Sequence, residues 1–183
     1  GFDDKDTCVF SEKVKGNYFI LHRVGDQVCG DFISSLNSKT DTVKKCIRIF
    51  GPRINSWDSA KVGIAAPPIK TKHGWILLYH GVSKSRNTYR VGAVLLDKKD
   101  PTLVLSRTTD PILQPEETYE KIGIINNVVF PCGLVVRGTT AYMYYGGGDF
   151  VIGVATIKLT PFFNLSASIF LFAPPIISAH VFL

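Results

Sequence analysis

The sequence lacks the features that mark several large classes of protein. Its four cysteines are Cys8, Cys29, Cys46 and Cys132. They form no Cys-x-x-Cys pair and no cluster with histidine at zinc-binding spacing. The longest apolar stretch, residues 162–172, is shorter than the roughly 20 residues of a membrane-spanning helix. Residues 1–4 begin no signal peptide, since no apolar segment follows them. We therefore expect a soluble cytoplasmic protein without a metal site, whose cysteines are free and mostly buried thiols.

Long runs of one charge are also missing. The formal net charge is +6, but the basic residues occur at most in pairs such as Lys44-Lys45 and Lys98-Lys99. No arginine-rich helix or aromatic-spaced basic stripe is present, which argues against a nucleic-acid partner. We interpret most lysines as solvated surface residues, while an anionic small substrate stays compatible with the charge.

An internal repeat organises the chain. Three segments combine a glycine, an apolar strand and a polar ending, at residues 16–23, 74–81 and 138–145. Each follows an apolar segment that ends in a basic residue, which is typical of a β-hairpin. The predicted turns are Lys15-Gly16-Asn17, Lys72-His73-Gly74 and Arg137-Gly138-Thr139. Further strands are predicted at residues 27–36, 89–97 and 150–159.

The repeating unit is an antiparallel meander of three or four strands that recurs about every 60 residues. Sheets of this kind arranged radially form an all-β propeller of about four to eight blades. A β-sandwich is the alternative, but it gives no reason for a fixed period. We therefore predict a partial propeller of about three blades over residues 1–159, with blades missing upstream, and an apolar tail of uncertain structure over residues 160–183.

The repeat also predicts a site. The residue six positions after each glycine is polar or aromatic, namely His22, His80 and Tyr144. Equivalent positions of propeller blades lie at the same end of the central channel, so these residues and their neighbours should converge at one mouth with Asp149. Residues 57–69, which begin with Trp57, suit a loop that lines a ligand cavity. A tight connection between blades, with Lys61 in solvent, is the alternative interpretation.

Six motifs in register resemble glycoside hydrolase family 130. They are D-S-A-K-V-G at 58–63, A-P-P-I-K at 66–70, Y-H-G-V at 79–82, Y-R-V-G-A at 89–93, N-V-V-F-P-C-G at 127–133 and Y-Y-G-G-G-D at 144–149, and residues 8–23 are also similar. The resemblance implies a five-bladed β-propeller that acts on β-manno-oligosaccharides or other β-mannosides. Most members are inverting phosphorylases that yield α-mannose 1-phosphate, and a minority are hydrolases.

The resemblance further implies the residues of the site. The phosphate-binding residues would be Arg23, Lys61, His80 and, with a weaker match, Tyr89, and the substrate-binding residues would be Asp149, Asp58, His22 and Tyr145. Lys5 and Asp6 fall near another pair that contacts phosphate. Asp149 resembles the acid that hydrogen-bonds the sugar in the cleaved subsite.

The chemistry favours phosphorolysis. Inverting hydrolysis needs two carboxylates, one of them to activate water, whereas phosphorolysis needs only the acid because phosphate is already an anionic nucleophile. Arginine offers paired donors to phosphate, and lysine and histidine add charge and single donors. The joint presence of Arg23, Lys61 and His80 therefore indicates a phosphorylase that uses inorganic phosphate as co-substrate and no other cofactor.

No residue matches the family's general acid. That aspartate belongs to an acidic motif upstream of the first strand, and Asp3 and Asp4 lie too close to this strand to be its equivalents. We expect no catalytic acid in this chain and little or no activity of the chain alone. A β-mannoside hydrolase, a non-catalytic sugar-binding remnant and a non-functional gene fragment are the alternatives. The sequence leaves linkage, acceptor and oligomeric state open, a homo-oligomer included.

Overall fold

The computed structural model describes residues 3–159 and the backbone of residues 177–182, which form three antiparallel sheets. The first consists of β1 (Asp4–Val9), β2 (Tyr18–Val24), β3 (Gln27–Ile33) and β4 (Ile47–Phe50). The second consists of β5 (Lys61–Ile64), β7 (Trp75–Val82), β8 (Tyr89–Leu96) and β9 (Val104–Arg107), and β6 (Ile69–Lys70) also pairs with β7. The third consists of β10 (Val129–Arg137), β11 (Thr140–Gly147), β12 (Val151–Lys158) and β13 (Ile177–Phe182). A short helix, α1 (Thr118–Lys121), precedes β10.

These sheets, called blades 1, 2 and 3 below, confirm the predicted meander, because each is built from strands that pair in chain order. Part of the predicted tail, residues 160–176, lies outside the described residues. Ile177–Phe182 is the outermost strand of blade 3 and pairs antiparallel with β12. Within the described residues, no helix has the length and apolar composition needed to cross a bilayer.

The hydrophobic core lies between neighbouring blades. Successive side chains of a strand point to opposite faces, so each strand of blade 2 contributes to two interfaces. Leu77 and Trp75 pack against blade 1, whereas Leu78 and Ile76 pack against blade 3. Fully burying one such side chain stabilises the fold by about 1.5–3 kcal/mol. Blade 2 therefore lies between blades 1 and 3. The side chains on one of its faces contact blade 1, and those on the other face contact blade 3.

The three predicted hairpin turns are confirmed, but their glycines occupy different places. The two-residue loops are 15–16, 72–73 and 138–139. The glycine is the last residue of the first loop, follows the second loop and opens the third. The predicted equivalence of His22, His80 and Tyr144, which was counted from the glycines, is therefore wrong.

Counting from the first residue after each loop gives the structural register. The equivalent residues are then His22, Tyr79 and Tyr145, and the residues that follow them are Arg23, His80 and Gly146. The three equivalent residues pair across to corresponding positions of the next strand, at Cys29, Gly92 and Gly153. Tyr144, one residue short of this position, is 42% exposed on the opposite face.

The prediction that all four cysteines are free thiols is wrong for two of them. Cys29 and Cys46 form a disulfide, because the pairing of β3 with β4 brings their Cα atoms to 4.9 Å. Cys8 is free and buried as predicted, and burial raises the pKa of its thiol to about 12. Cys132 is free but exposed. The spacing of the cysteines in the sequence gave no sign of the disulfide, because its partners lie 17 positions apart and meet only through strand pairing.

The glycine opposite Tyr79 generates a stability prediction. A Cβ atom at Gly92 would lie 2.6 Å from the Tyr79 ring, whereas a Cβ at Gly133 would meet nothing closer than 3.8 Å. Overpacking of this kind costs about 1–3 kcal/mol. We expect Gly92→Ala to lower the free energy of unfolding by that amount in urea titrations, and Gly133→Ala to change it far less. Equal losses in the two variants would contradict the close packing of Tyr79 on Gly92.

Candidate functional site

A charged cluster joins blades 1 and 2 at the ends of their inner strands. Arg23 Nε donates a hydrogen bond to Asp6 Oδ2 at 2.7 Å. The same oxygen lies 3.8 Å from His80 Nε2. Arg23 and His80 occupy equivalent positions of β2 and β7, so both side chains point toward the next blade. The structure therefore brings together two of the predicted phosphate-binding residues, with Asp6 between them.

Local backbone features place Asp6 in this cluster. The register of β1 against β2 shifts between Lys5 and Cys8, and Asp6 itself adopts a left-handed φ of 53°. Such bulges redirect a side chain from a strand, and aspartate is among the residues that best tolerate this region. Gly63 provides the space, because a Cβ there would lie 2.4 Å from Asp6 Oδ2 and 2.3 Å from His80 Cε1. A glycine is therefore required beneath the cluster.

Lys61 and Tyr89 complete the predicted phosphate-binding set. Lys61 Nζ lies 5.0 Å from the centroid of the Tyr89 ring, in a cation–π contact. The Tyr89 and His80 rings are 6.1 Å apart between centroids. Both Lys61 and Arg23 are near enough to lower the pKa of His80. All four predicted residues thus lie in one cluster, and their role as phosphate ligands stays a prediction.

His80 is neutral in this environment. It is 2% exposed, its ring lies 4.5 Å from that of Phe130 between centroids, and Nδ1 has no hydrogen-bond partner in the part of the chain that the structure describes. Burial lowers the pKa of His80 to about 4; Asp6 opposes this shift, while Arg23 and Lys61 add to it. Burial thus favours the neutral imidazole here, and the expectation that His80 adds charge at a phosphate site stays a prediction. Among the described residues, its Nδ1 is a buried polar atom without a hydrogen-bond partner.

A cavity of about 380 Å³ opens beside the cluster. Its walls are residues 6–8, 64–67 and 130–132. Asp6 belongs to both the cluster and the cavity wall. The exposed Asp149 lies in the turn between β11 and β12, near enough to Cys132 to add to the effect of burial in raising the pKa of that thiol. Asp149 is therefore near Cys132, one of the residues of the cavity wall, and its role as a sugar ligand stays a prediction.

His22 lies away from the cluster. It is adjacent to Arg23 in β2 and so points to the other face. Its Nδ1 lies 3.0 Å from Asp4 Oδ1, and its Nε2 lies 3.1 Å from the carbonyl oxygen of Lys45. These contacts occupy both ring nitrogens in the described structure. The predicted role of His22 in substrate binding is not supported by this placement and stays a prediction.

Asp58 and Tyr145 are both enclosed, and each belongs to a buried tyrosine–carboxylate pair. Tyr79 Oη donates to Asp58 Oδ2 at 2.9 Å, and Tyr145 Oη donates to Glu120 Oε1 at 2.7 Å. Both carboxylates come from the segment that leads into the first strand of their blade. The pairs therefore hold these connections against the second strand, which indicates a structural role; substrate binding by Asp58 or Tyr145 stays a prediction.

Two arginines that were not singled out from the sequence complete the Asp58 pair. Arg53 Nε lies 3.1 Å from both carboxylate oxygens, and Arg107 Nη2 lies 2.5 Å from Oδ2. Burial tends to raise the pKa of Asp58, but the hydrogen bond from Arg53 and the charges of Arg107 and Arg53 hold it below its usual value. Glu120 was likewise not singled out from the sequence. The one sequence feature that pointed to it is that Tyr79 and Tyr145 occupy equivalent positions of blades 2 and 3, so that each would need a carboxylate partner.

A larger groove of about 1130 Å³ lies at the same end of the blades. Trp57 lines it, stacks on Tyr79 at 5.6 Å and donates from Nε1 to the carbonyl oxygen of Thr109 at 2.9 Å. Arg86 and Arg90 also line the groove. Of residues 57–69, Trp57 and Ser59 line this groove and residues 64–67 line the smaller cavity; that the segment binds a ligand stays a prediction. Among the described residues, no three His, Cys, Asp or Glu side chains group so as to hold a metal ion.

A comparison with family models identifies the class of protein to which this fold belongs. The model of the glycosyl hydrolase 130 family, described as beta-1,4-mannooligosaccharide phosphorylase, matches residues 2–167. The chain belongs to glycoside hydrolase family 130, whose structures are five-bladed β-propellers. The resemblance inferred from the six motifs is confirmed, and the propeller is confirmed over the sandwich.

Several individual proteins of this family are similar to the chain. The chain is 47% identical over 156 residues to 1,2-beta-oligomannan phosphorylase and 42% identical over 155 residues to beta-1,2-mannobiose phosphorylase, both of Thermoanaerobacter sp. strain X514. These matches cover 85% of this chain and 51% and 50% of the relatives. The beta-1,2-mannobiose complex of the Listeria innocua beta-1,2-mannobiose phosphorylase matches with a TM-score of 0.80 and 38% identity, over 86% of this chain and 45% of that one. The chain thus spans about half the length of these relatives.

The buried His80 generates a pH prediction. The pKa of His80 is about 4 in the folded chain, whereas its ordinary value is 6.5. As the pH falls, the unfolded chain therefore binds a proton at this residue near pH 6.5, and the folded chain binds one only near pH 4. The contribution of the neutral His80 to the free energy of unfolding is therefore present in full above pH 6.5 and is lost as the pH falls toward 4. We expect His80→Gln to flatten the dependence of the unfolding free energy on pH in that window.

The control for this measurement is Ser85→Ala, which changes an exposed residue in the turn between β7 and β8 and removes no titratable group. Urea unfolding at several pH values between 4 and 7 compares the three proteins. The wild type and the Ser85 variant should show the same dependence of the unfolding free energy on pH. If the His80 variant keeps that dependence too, His80 is not the buried neutral imidazole described here.

Proposed function

We propose that the protein containing this chain is an inverting β-mannoside phosphorylase, in which the cluster of Arg23, Lys61, His80 and Asp6 binds inorganic phosphate. The observation that carries the proposal is the convergence of two cations, Arg23 and Lys61, on the buried imidazole of His80, beside Asp6, which lines the cavity of about 380 Å³. Lys61 has no carboxylate within 4.0 Å among the described residues, so its charge is free for an anionic ligand.

The proposed reaction uses the cluster for positioning. Arg23 and Lys61 would hold the phosphate by charge-assisted hydrogen bonds, and His80 would donate or accept one further bond. A phosphate oxygen attacks the anomeric carbon from the side opposite the leaving group, so the configuration inverts and α-mannose 1-phosphate forms. Fixing this oxygen beneath the sugar can lower the barrier by several kcal/mol through proximity.

The proposed substrate class rests on the relatives and on two side chains, those of Asp149 and Trp57. Three phosphorylases that resemble this chain are named for β-1,2-linked mannosides, so we propose this linkage. Asp149, near Cys132 of the cavity wall, supplies a carboxylate that can accept hydrogen bonds from sugar hydroxyls. Trp57, in the larger groove at the same end of the blades, offers an aromatic surface for a further sugar unit.

The general acid is proposed to come from outside this chain. The cavity residues 6–8, 64–67 and 130–132 include only one carboxylate, Asp6, and this group is paired with Arg23. A proton donor for the leaving sugar would therefore belong to the part of the relatives that this chain does not cover. The cytoplasmic location also stays a prediction.

A chimaera tests the proposed reaction. This chain would be joined to the part of the 47% identical relative that it does not match, and β-1,2-mannobiose cleavage would be followed with and without inorganic phosphate. We expect release of α-mannose 1-phosphate that depends on phosphate. Mannose release at the same rate without phosphate would identify a hydrolase, and mannoside binding without turnover would identify a sugar-binding protein.

Lys61 provides the residue-level test in the same chimaera. A hydrogen bond to a charged group contributes about 1.5–3 kcal/mol, so Lys61→Met should raise the KM for phosphate by about 10- to 100-fold. Lys70→Met is the matched control, because Lys70 is an exposed lysine that pairs with Glu12 and should change this KM less than about twofold. A phosphate KM that is equal in the two variants would remove Lys61 from the site.

A further inference from the structure

Asp6 is an unexpected residue at an anion site. A carboxylate repels a bound anion, and two like charges a few ångströms apart in a partly buried site cost several kcal/mol. Yet Asp6 stands between Arg23 and His80, the two residues that the hairpin register places in equivalent positions. A ligand held by this cluster must therefore be compatible with a carboxylate beside it.

The geometry leaves one face of Asp6 open to such a ligand. Its contacts with Arg23 and His80 both use Oδ2. The side chain is 18% exposed and lines the cavity of about 380 Å³. Among the described residues, no hydrogen bond involves Oδ1. The cluster thus presents two cations together with one hydrogen-bond acceptor.

Oxyanions differ in how they meet that acceptor. An ionised carboxylate accepts hydrogen bonds and donates none. Inorganic phosphate and arsenate carry at least one proton at neutral pH, which can be donated to a carboxylate. Sulfate and selenate carry no proton at that pH, so a carboxylate beside them meets only negative oxygen. A carboxylate in an anion site therefore favours the protonated oxyanions.

We infer that Asp6 makes the site selective for oxyanions that retain a proton, so that phosphate binds and sulfate is rejected. The inference rests on the proposed function, because it requires the cluster to be the phosphate site. It assigns Asp6 a part in ligand selection in addition to its ion pair with Arg23. The Arg23 contact in turn fixes the direction of the acceptor.

Calorimetric titration of the full 183-residue chain at neutral pH and constant ionic strength tests the inference. The probes are sodium phosphate, sulfate, arsenate and selenate. We expect the wild type to bind phosphate and arsenate at least about tenfold more tightly than sulfate and selenate, the size of a charged hydrogen bond. In Asp6→Asn, sulfate should bind at least tenfold more tightly than in the wild type, because the amide can donate to it.

Two further variants keep the test decisive. Asp3→Asn removes an exposed carboxylate that lies 3.7 Å from Arg23 Nη1, so it alters the net charge near the same arginine and should leave the discrimination unchanged. Asp6→Ser provides a second neutral donor if the asparagine variant does not fold. A gain in sulfate affinity that is equal in the Asp3 and Asp6 variants would overturn the inference in favour of a general charge effect.

The outcomes also separate the inference from the proposed function. If phosphate binds and Lys61→Met abolishes its binding, but Asp6→Asn keeps the wild-type discrimination, the phosphate site stands and the inference fails. If the wild type binds neither phosphate nor arsenate, the cluster is not an oxyanion site and both fail. A loss of discrimination confined to the Asp6 variants supports both.

Discussion

The contact of Asp6 with Arg23 and His80 is the constraint on which the candidate site depends. Arg23 comes from blade 1 and His80 from blade 2, and one carboxylate oxygen lies 2.7 Å from the first and 3.8 Å from the second. This arrangement needs the bulge in β1 and the absence of a side chain at Gly63. The carboxylate also offsets part of the repulsion between the cations, so that Arg23 can be buried beside the cavity.

A contact between a strand residue and a carboxylate recurs in all three blades beside this arrangement. The equivalent residues of the three blades each meet a carboxylate: His22 meets Asp4, Tyr79 meets Asp58, and Tyr145 meets Glu120. In blade 2 the carboxylate lies three residues before Lys61, so its bonds to Tyr79 and the two arginines also fix the start of β5. In blades 1 and 2 this strand position makes a structural contact on one face, while the next residue, Arg23 or His80, points to the other face and belongs to the cluster.

Much of the fold was predictable from the sequence, because the repeat of hairpins recurs at a fixed period and only stacked blades give it a physical reason. The grouping of Arg23, Lys61, His80 and Tyr89 followed from the family resemblance. The alignment of equivalent strand positions between the blades was not predictable from the sequence, because the turn glycines occupy different positions in their loops. An error of one residue moves a side chain to the other face of the sheet. The Cys29–Cys46 disulfide and the Glu120 pair depend on contacts between distant segments, which spacing does not reveal.

The assignment of the cluster as the phosphate site is tested most directly by an anomalous-scattering map of crystals of this chain soaked in arsenate, whose arsenic atom marks the position of a phosphate analogue. We expect one strong peak among Arg23, Lys61 and His80, with arsenate oxygens within hydrogen-bonding distance of the two cations and of Asp6. A peak found only in the larger groove beside Arg86 and Arg90, or no peak at all, would contradict the assignment of the cluster as the phosphate site.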